Sequence, residues 1–117
     1  MFRVIIAGTR TFDDYDLLCK YVDIKLSNIC QSIEIVSGGA RGADALGERY
    51  AKDRGYKLRV FPADWNKYGK RAGYLRNVQM AEYADALIAF WDGKSRGTAN
   101  MIAEARALGL LVGVKHY

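Results

Sequence analysis

The chain has 117 residues, half of them hydrophobic, with 18 basic and 13 acidic side chains and a net charge of +5. That length fits one domain with a substantial core. A single proline and no Ser-, Gln- or Pro-rich run argue against long disordered linkers, and no apolar stretch approaches transmembrane length.

Arg3 to Gly8 reads as the first strand: short, β-branched and closed by glycine. Met1 to Ala7 is apolar too briefly for a signal peptide, so a cytoplasmic protein with no membrane partner is expected. Gly8-Thr9-Arg10 then makes a turn. Gly8 allows close backbone approach there, and Arg10 reaches either an anion or solvent. A helix is predicted from Asp14 to Ile29, with Asp13 as N-cap and Leu18, Tyr21, Val22, Leu26 and Ile29 on one face.

Ile33 to Ser37 is the second strand. The loop Ser37-Gly38-Gly39-Ala40-Arg41-Gly42 follows, and its glycines let amides close on an anion at a helix start. A second helix runs from Ala43 to Arg54 and stops at Gly55. Asp44, in its first turn, is placed either to bond a ribose hydroxyl or to favour the positive helix end. The loop is neither a GxGxxG fingerprint nor a Walker motif.

Lys57 to Phe61 is the third strand, and residues 62–72 read as the longest loop. Trp65 and the basic residues around it fit a pocket lid or a single-stranded nucleic-acid contact. A third helix is predicted from Gly73 to Tyr83 with Leu75, Val78 and Ala81 or Glu82 as its markers. Arg76 and Asn77 stand near its start, at the ligand edge or on the open surface.

Ala86 to Phe90 is the fourth strand, followed by Trp91 and the loop Asp92-Gly93-Lys94-Ser95-Arg96-Gly97. A fourth helix is predicted from Thr98 to Leu108, with Met101, Ile102, Ala105 and Leu108 inward. Thr98 caps it or bonds a phosphate. Leu111 to Lys115 closes the order as the fifth strand.

Strict alternation of strands and helices predicts a three-layer, Rossmann-like α/β domain: a five-stranded parallel sheet with helices on both faces. Ligands bind such sheets at the strand carboxyl ends. Arg10, Arg41, Lys67, Lys70, Arg71, Lys94 and Arg96 fall in the loops leaving those ends, against Asp64 and Asp92 alone. The whole net charge therefore gathers at one edge, together with both tryptophans. A phosphate-bearing ligand fits that edge, its base stacked on Trp65 or Trp91.

Cys19 and Cys30 form no CxxC pattern, which predicts reduced thiols. His116 is the sole histidine, so no His-based metal site or Ser-His-Asp triad is expected.

The segments Gly8-Thr9-Arg10, Ser37 to Asp44, Trp65, Arg76-Asn77-x-x-Met80, Asp85 to Phe90 and Ser95-x-Gly97-Thr98 resemble the SLOG superfamily, specifically its small YspA/YpsA-related (YAcAr) members. The resemblance implies a Rossmann-like fold that binds nucleotides or nucleotide-derived molecules of the ADP-ribose kind, often self-associates, and in some members serves bacterial or phage stress and defence. No other cofactor is implied. Gly8, Thr9, Arg10, Ser37, Gly38, Gly39, Arg41, Gly42, Asp44, Trp65, Arg76, Asn77, Trp91, Ser95, Gly97 and Thr98 become the candidate ligand contacts.

The superfamily also holds the LOG phosphoribohydrolases and the DNA-processing protein DprA, which give two alternatives: N-glycosidic hydrolysis and single-stranded nucleic-acid binding. The LOG pattern places a catalytic glutamate three residues after the Gly-Thr threonine, where this chain has Met101. Asp44, Asp64 and Asp92 are the carboxylates left to replace it, and spacing selects none.

Overall fold

The computed structural model describes residues 1–117. Five strands form one parallel sheet: β1 (Phe2–Gly8), β2 (Ile33–Ser37), β3 (Lys57–Val60), β4 (Ala86–Trp91) and β5 (Leu111–His116). Their spatial order is β3-β2-β1-β4-β5. The chain builds outward from β1 on one side, then returns to start β4 on the other. The Rossmann-like α/β reading of the sequence holds.

The helices are α1 (Tyr15–Leu26), α2 (Ala43–Arg54), α3 (Trp65–Tyr68), α4 (Ala72–Tyr83) and α5 (Arg96–Ala107). α1 and α2 cover one face over a core that includes Val4, Ile6, Leu18, Val22, Ile35, Tyr50 and Phe90. α4 and α5 cover the other over Ile5, Val36, Met80, Leu87, Met101 and Ala105. Strand residues alternate between the two cores, as the period of two requires.

Several expectations are corrected. The N-cap of α1 is Asp14, not Asp13: its carboxylate accepts from Leu17 N–H at 3.0 Å. The helix stops at Leu26, where Ser27 folds its hydroxyl back on Ile24 C=O at 2.8 Å. Residues 62–72 are not all loop. Asp64 caps α3 by accepting from Lys67 N–H at 3.1 Å, and a 3-10 turn over Gly69–Arg71 leads into α4. Four residues with no buried side chain show no periodicity to detect.

α4 turns a different face inward than its leucine marks. Leu75 is exposed, while Ala72, Asn77, Met80 and Ala81 are buried. Leu108 is exposed as well, because it lies beyond the last turn of α5 where the chain bends at Gly109. α5 begins at Arg96 with Ser95 as its cap. Ser95 Oγ accepts from Thr98 N–H at 3.3 Å, so the capping role falls to Ser95 rather than Thr98.

Candidate functional site

The strand order reverses between β1 and β4, and the loops leaving them diverge there. Such a switch point opens a crevice at the sheet's carboxyl edge. A cleft of about 220 Å³ occupies it. Ala7, Gly8 and Arg10 come from the end of β1, and Ala40 and Asp44 from the turn into α2. Ser95, Gly97, Thr98 and Met101 come from α5 and its cap. Trp65, Lys70, Gly73, Tyr74, Arg76, Asn77 and Met80 close the far side.

The buried polar residues of the protein are Thr9, Ser37, Asp44, Asn77 and Thr98. All five stand at the carboxyl edge or in the first two turns of helices that begin there. Burying polar groups costs free energy unless they are bonded, so their concentration at one edge marks a built site. Thr9 Oγ1 accepts from Asp92 N–H at 3.2 Å. Ser37 Oγ donates to Glu48 Oε2 at 2.7 Å and accepts from Gly39 N–H at 3.1 Å. Asn77 donates to Gly97 C=O at 3.3 Å and Asn100 Oδ1 at 3.0 Å, tying α4 to the start of α5. Thr98 and Ser95 share a hydroxyl–hydroxyl bond at 3.1 Å.

Asp44 is 5% exposed. Burial pushes its carboxyl up to about 6, against the pull of Ala40 N–H and Arg76. Arg76 is held from two sides: it donates to Gly38 C=O and, through Nε, to Asn77 Oδ1 at 3.1 Å. Burial lowers the guanidinium from its ordinary value, and Asp44 partly restores it. Asp92 is spent on structure. Its carboxylate accepts from Ser95 N–H at 2.9 Å and Lys94 N–H at 2.8 Å, which holds it below the usual carboxylate range. The Arg96 and Gly97 N–H groups at the start of α5 meet no acceptor within the protein, as helix geometry dictates.

A second hollow of about 280 Å³ lies behind Arg10, Ala40, Trp65 and Arg76, which line both spaces. Gly38, Gly39 and Arg41 border this hollow rather than the cleft. Of the sixteen candidate contacts, nine line the cleft: Gly8, Arg10, Asp44, Trp65, Arg76, Asn77, Ser95, Gly97 and Thr98. Thr9, Ser37, Gly42 and Trp91 line neither space. Trp91 instead braces its own loop: its indole donates to Ser95 C=O at 3.1 Å and its ring lies against His116.

The glycines divide into two kinds. A Cβ on Gly8 would stand 2.2 Å from Phe90 C=O, and one on Gly42 would stand 2.4 Å from Thr9 C=O. Neighbouring backbone fills those positions, so these glycines permit tight packing of the protein itself. A Cβ on Gly97 would meet nothing within 4 Å, and Gly97 lines the cleft. Its bareness leaves room for something else.

Glu48 and Asn100 carry no motif, and their places are not legible in the sequence, whereas Met80 stands in the Arg76-Asn77-x-x-Met80 motif and Met101 is buried as its helical spacing predicts. Asn100 lies one turn beyond Arg96, so helical spacing was the one available cue. The position at which LOG enzymes carry a glutamate is the buried Met101, and with Met80 it makes that wall of the cleft apolar.

The profile of the "YspA, cpYpsA-related SLOG family" matches residues 2–68, more than half of the chain. The chain belongs to that family. The family match spans β1 through α3, including the glycine loop and Asp44, while α4 and α5 lie beyond it. The Gene 61 protein of Mycobacterium phage D29 is 36% identical to this SLOG chain over 118 residues, covering 96% of the chain and 94% of the phage protein. Two solved structures share the fold. DNA processing protein A (DprA) from Streptococcus pneumoniae superposes with a TM-score of 0.72 at 18% identity, over 97% of this chain and 49% of DprA. TM1055 gives a TM-score of 0.69 at 20% identity, over 96% of this chain and 72% of that one. This SLOG domain thus spans about half of DprA. No helix is long and apolar enough to cross a membrane.

Proposed function

We propose that this SLOG domain binds a nucleotide or nucleotide-derived molecule, such as a nucleoside phosphate or an ADP-ribose-like compound, in the cleft at the β1/β4 switch point. The observation that carries the reading is the gathering of buried Thr9, Ser37, Asp44, Asn77 and Thr98 at this one edge, beside a cleft lined by Arg10 and Arg76. The free N–H groups of Arg96 and Gly97 suit an anionic phosphate, and bare Gly97 admits it close to the backbone. Trp65, half-exposed at the rim and lying over Gly73, suits a stacked base.

Binding without cleavage fits the walls better than hydrolysis. Cleavage of an N-glycosidic bond passes through a cationic sugar that a carboxylate stabilises. Met101 occupies the position at which the related enzymes supply one. Asp64 caps α3 and Asp92 is bonded into its own loop, which leaves Asp44 as the one carboxylate lining the cleft. A sensing or sequestering role in phage or bacterial defence is consistent with the mycobacteriophage relative. Self-association remains part of the proposal on the family's habit.

A second reading has its own observation. Trp65, Tyr68 and Tyr74 are all exposed on or near α3, interleaved with Lys67, Lys70 and Arg71. Such a surface suits single-stranded nucleic acid.

Native mass spectrometry of protein taken from cells, followed by identification of released small molecules, tests the first reading. A thermal-shift panel of nucleoside phosphates and ADP-ribose complements it. The expected result is a co-purifying nucleotide and a matching shift. Affinity for oligonucleotides that falls steeply with salt, with no response to mononucleotides, would transfer the site to the second reading.

A further inference from the structure

We infer that Asp44 is a sugar-hydroxyl acceptor, so that the site selects ligands carrying a free ribose 2′-hydroxyl over their 2′-deoxy counterparts. The inference rests on the nucleotide reading above and narrows it to a ligand class.

Asp44 lines the cleft although it is 95% buried, with 5% of its surface exposed. Within the protein it is met by backbone donors alone: Ala40 N–H reaches Oδ2 at a long 3.3 Å, and Gly8 N–H also pulls on the carboxylate. The ion pairs of the protein, Arg3–Glu34, Arg49–Asp53 and Arg54–Asp23, all lie elsewhere, so no cation is in contact with Asp44. An ionised carboxylate offers about four acceptor sites. Those two backbone groups leave the rest unused. A buried carboxylate left so short of donors is costly to the fold, and a ligand donor would relieve it.

The chemistry of that donor follows from what surrounds it. A phosphate is excluded by charge, and Glu48 one turn along α2 adds to the repulsion. The anion therefore belongs with the free N–H groups of α5 and with Arg10. A base belongs at the rim, where Trp65 and Tyr74 are about half exposed. The part of a nucleotide between phosphate and base is the sugar, and its hydroxyls are neutral donors. Arg76 holds its place through Gly38 C=O and Asn77, so it is not free to swing onto Asp44 and satisfy it instead.

The test is a pairwise comparison by isothermal titration calorimetry. AMP, GMP, CMP and UMP are each measured against dAMP, dGMP, dCMP and dUMP on the wild-type protein. The best-bound ribonucleotide is expected to exceed its deoxy partner by about tenfold or more, since a site built for a hydroxyl rejects the analogue that lacks it. In Asp44→Ala the gap should close, with affinity for the deoxy form roughly retained. Circular dichroism and a melting curve establish that the variant is folded, and the wild-type comparison stands even where it is not. Equal binding of ribo and deoxy forms by the wild-type protein overturns the inference and leaves the nucleotide reading intact. A preference for one base that persists in its deoxy form places a base amine on Asp44 and also overturns it. Binding of none of the eight by folded protein overturns the inference, and failure of ADP-ribose to bind as well overturns the nucleotide reading.

Discussion

Arg76 and Asp44 meet the same empty face of Gly38. A Cβ there would stand 2.7 Å from Arg76 Nη1 and 2.8 Å from Asp44 Oδ2. The missing side chain is what lets a cation from α4 and an anion from α2 approach one strand end.

Gly38→Ala should therefore disrupt both charged groups at once. Arg76 is pinned by its bonds to Gly38 C=O and Asn77, so it cannot retreat freely. A loss of about 1–3 kcal/mol in stability is expected, the usual cost of overpacking. Nucleotide affinity should fall with it. Urea denaturation and a thermal-shift assay measure the two. Unchanged stability would mean that the loop moves aside.

Asp44 makes stability depend on pH in a defined direction. Its carboxyl titrates at about 6 in the folded chain against 3.8 when unfolded. A raised acid opposes folding when ionised: the penalty is absent below the unfolded value and complete above the folded one. Its contribution should thus diminish stability as pH rises from about 4 through 6. Asp44→Asn removes the charge and should stabilise the protein at pH 7 by on the order of 2 kcal/mol, with Arg76 and Glu48 as the charged groups facing the site. The variant's advantage should vanish near pH 4. Denaturation midpoints across that range decide it; a uniform offset at every pH contradicts the assignment.

The two kinds of glycine should separate in mutagenesis. Gly97→Ala meets open space in a helix and should fold at least as well as the parent, by about 0.5–1 kcal/mol. It should nevertheless weaken nucleotide binding, because the added methyl occupies the ground before the free N–H groups. Gly8→Ala drives a methyl onto Phe90 C=O and should destabilise by about 3 kcal/mol or more. Melting temperatures alongside ligand shifts give the comparison. A Gly97→Ala protein that binds normally would remove α5 from the phosphate role.

The tryptophans should differ as reporters. Trp65 is 51% exposed at the cleft rim, whereas Trp91 is half-buried and bonded to its own loop. Ligand-induced quenching of intrinsic fluorescence should survive Trp91→Phe and disappear in Trp65→Phe. The Trp65 variant should keep parental stability within about 0.5 kcal/mol, as a surface substitution does. Quenching that follows Trp91 instead would relocate the base.

Much was determined by the sequence alone. β-branched runs closed by glycine, with helical periodicity between them, dictated five parallel strands and the helices that separate them, because those periods follow from local backbone geometry. The same alternation put the basic loops at the carboxyl edge. Only the tertiary structure decided the strand order, and with it that β1 and β4 part to open the cleft. Only it showed that Gly8 and Gly42 make room for backbone, and that Trp91 and Ser37 serve the loops. Asn77 faces inward, and Asp44 is short of donors. Each of these depends on which distant segment arrives at a residue, and spacing along a chain carries no record of that.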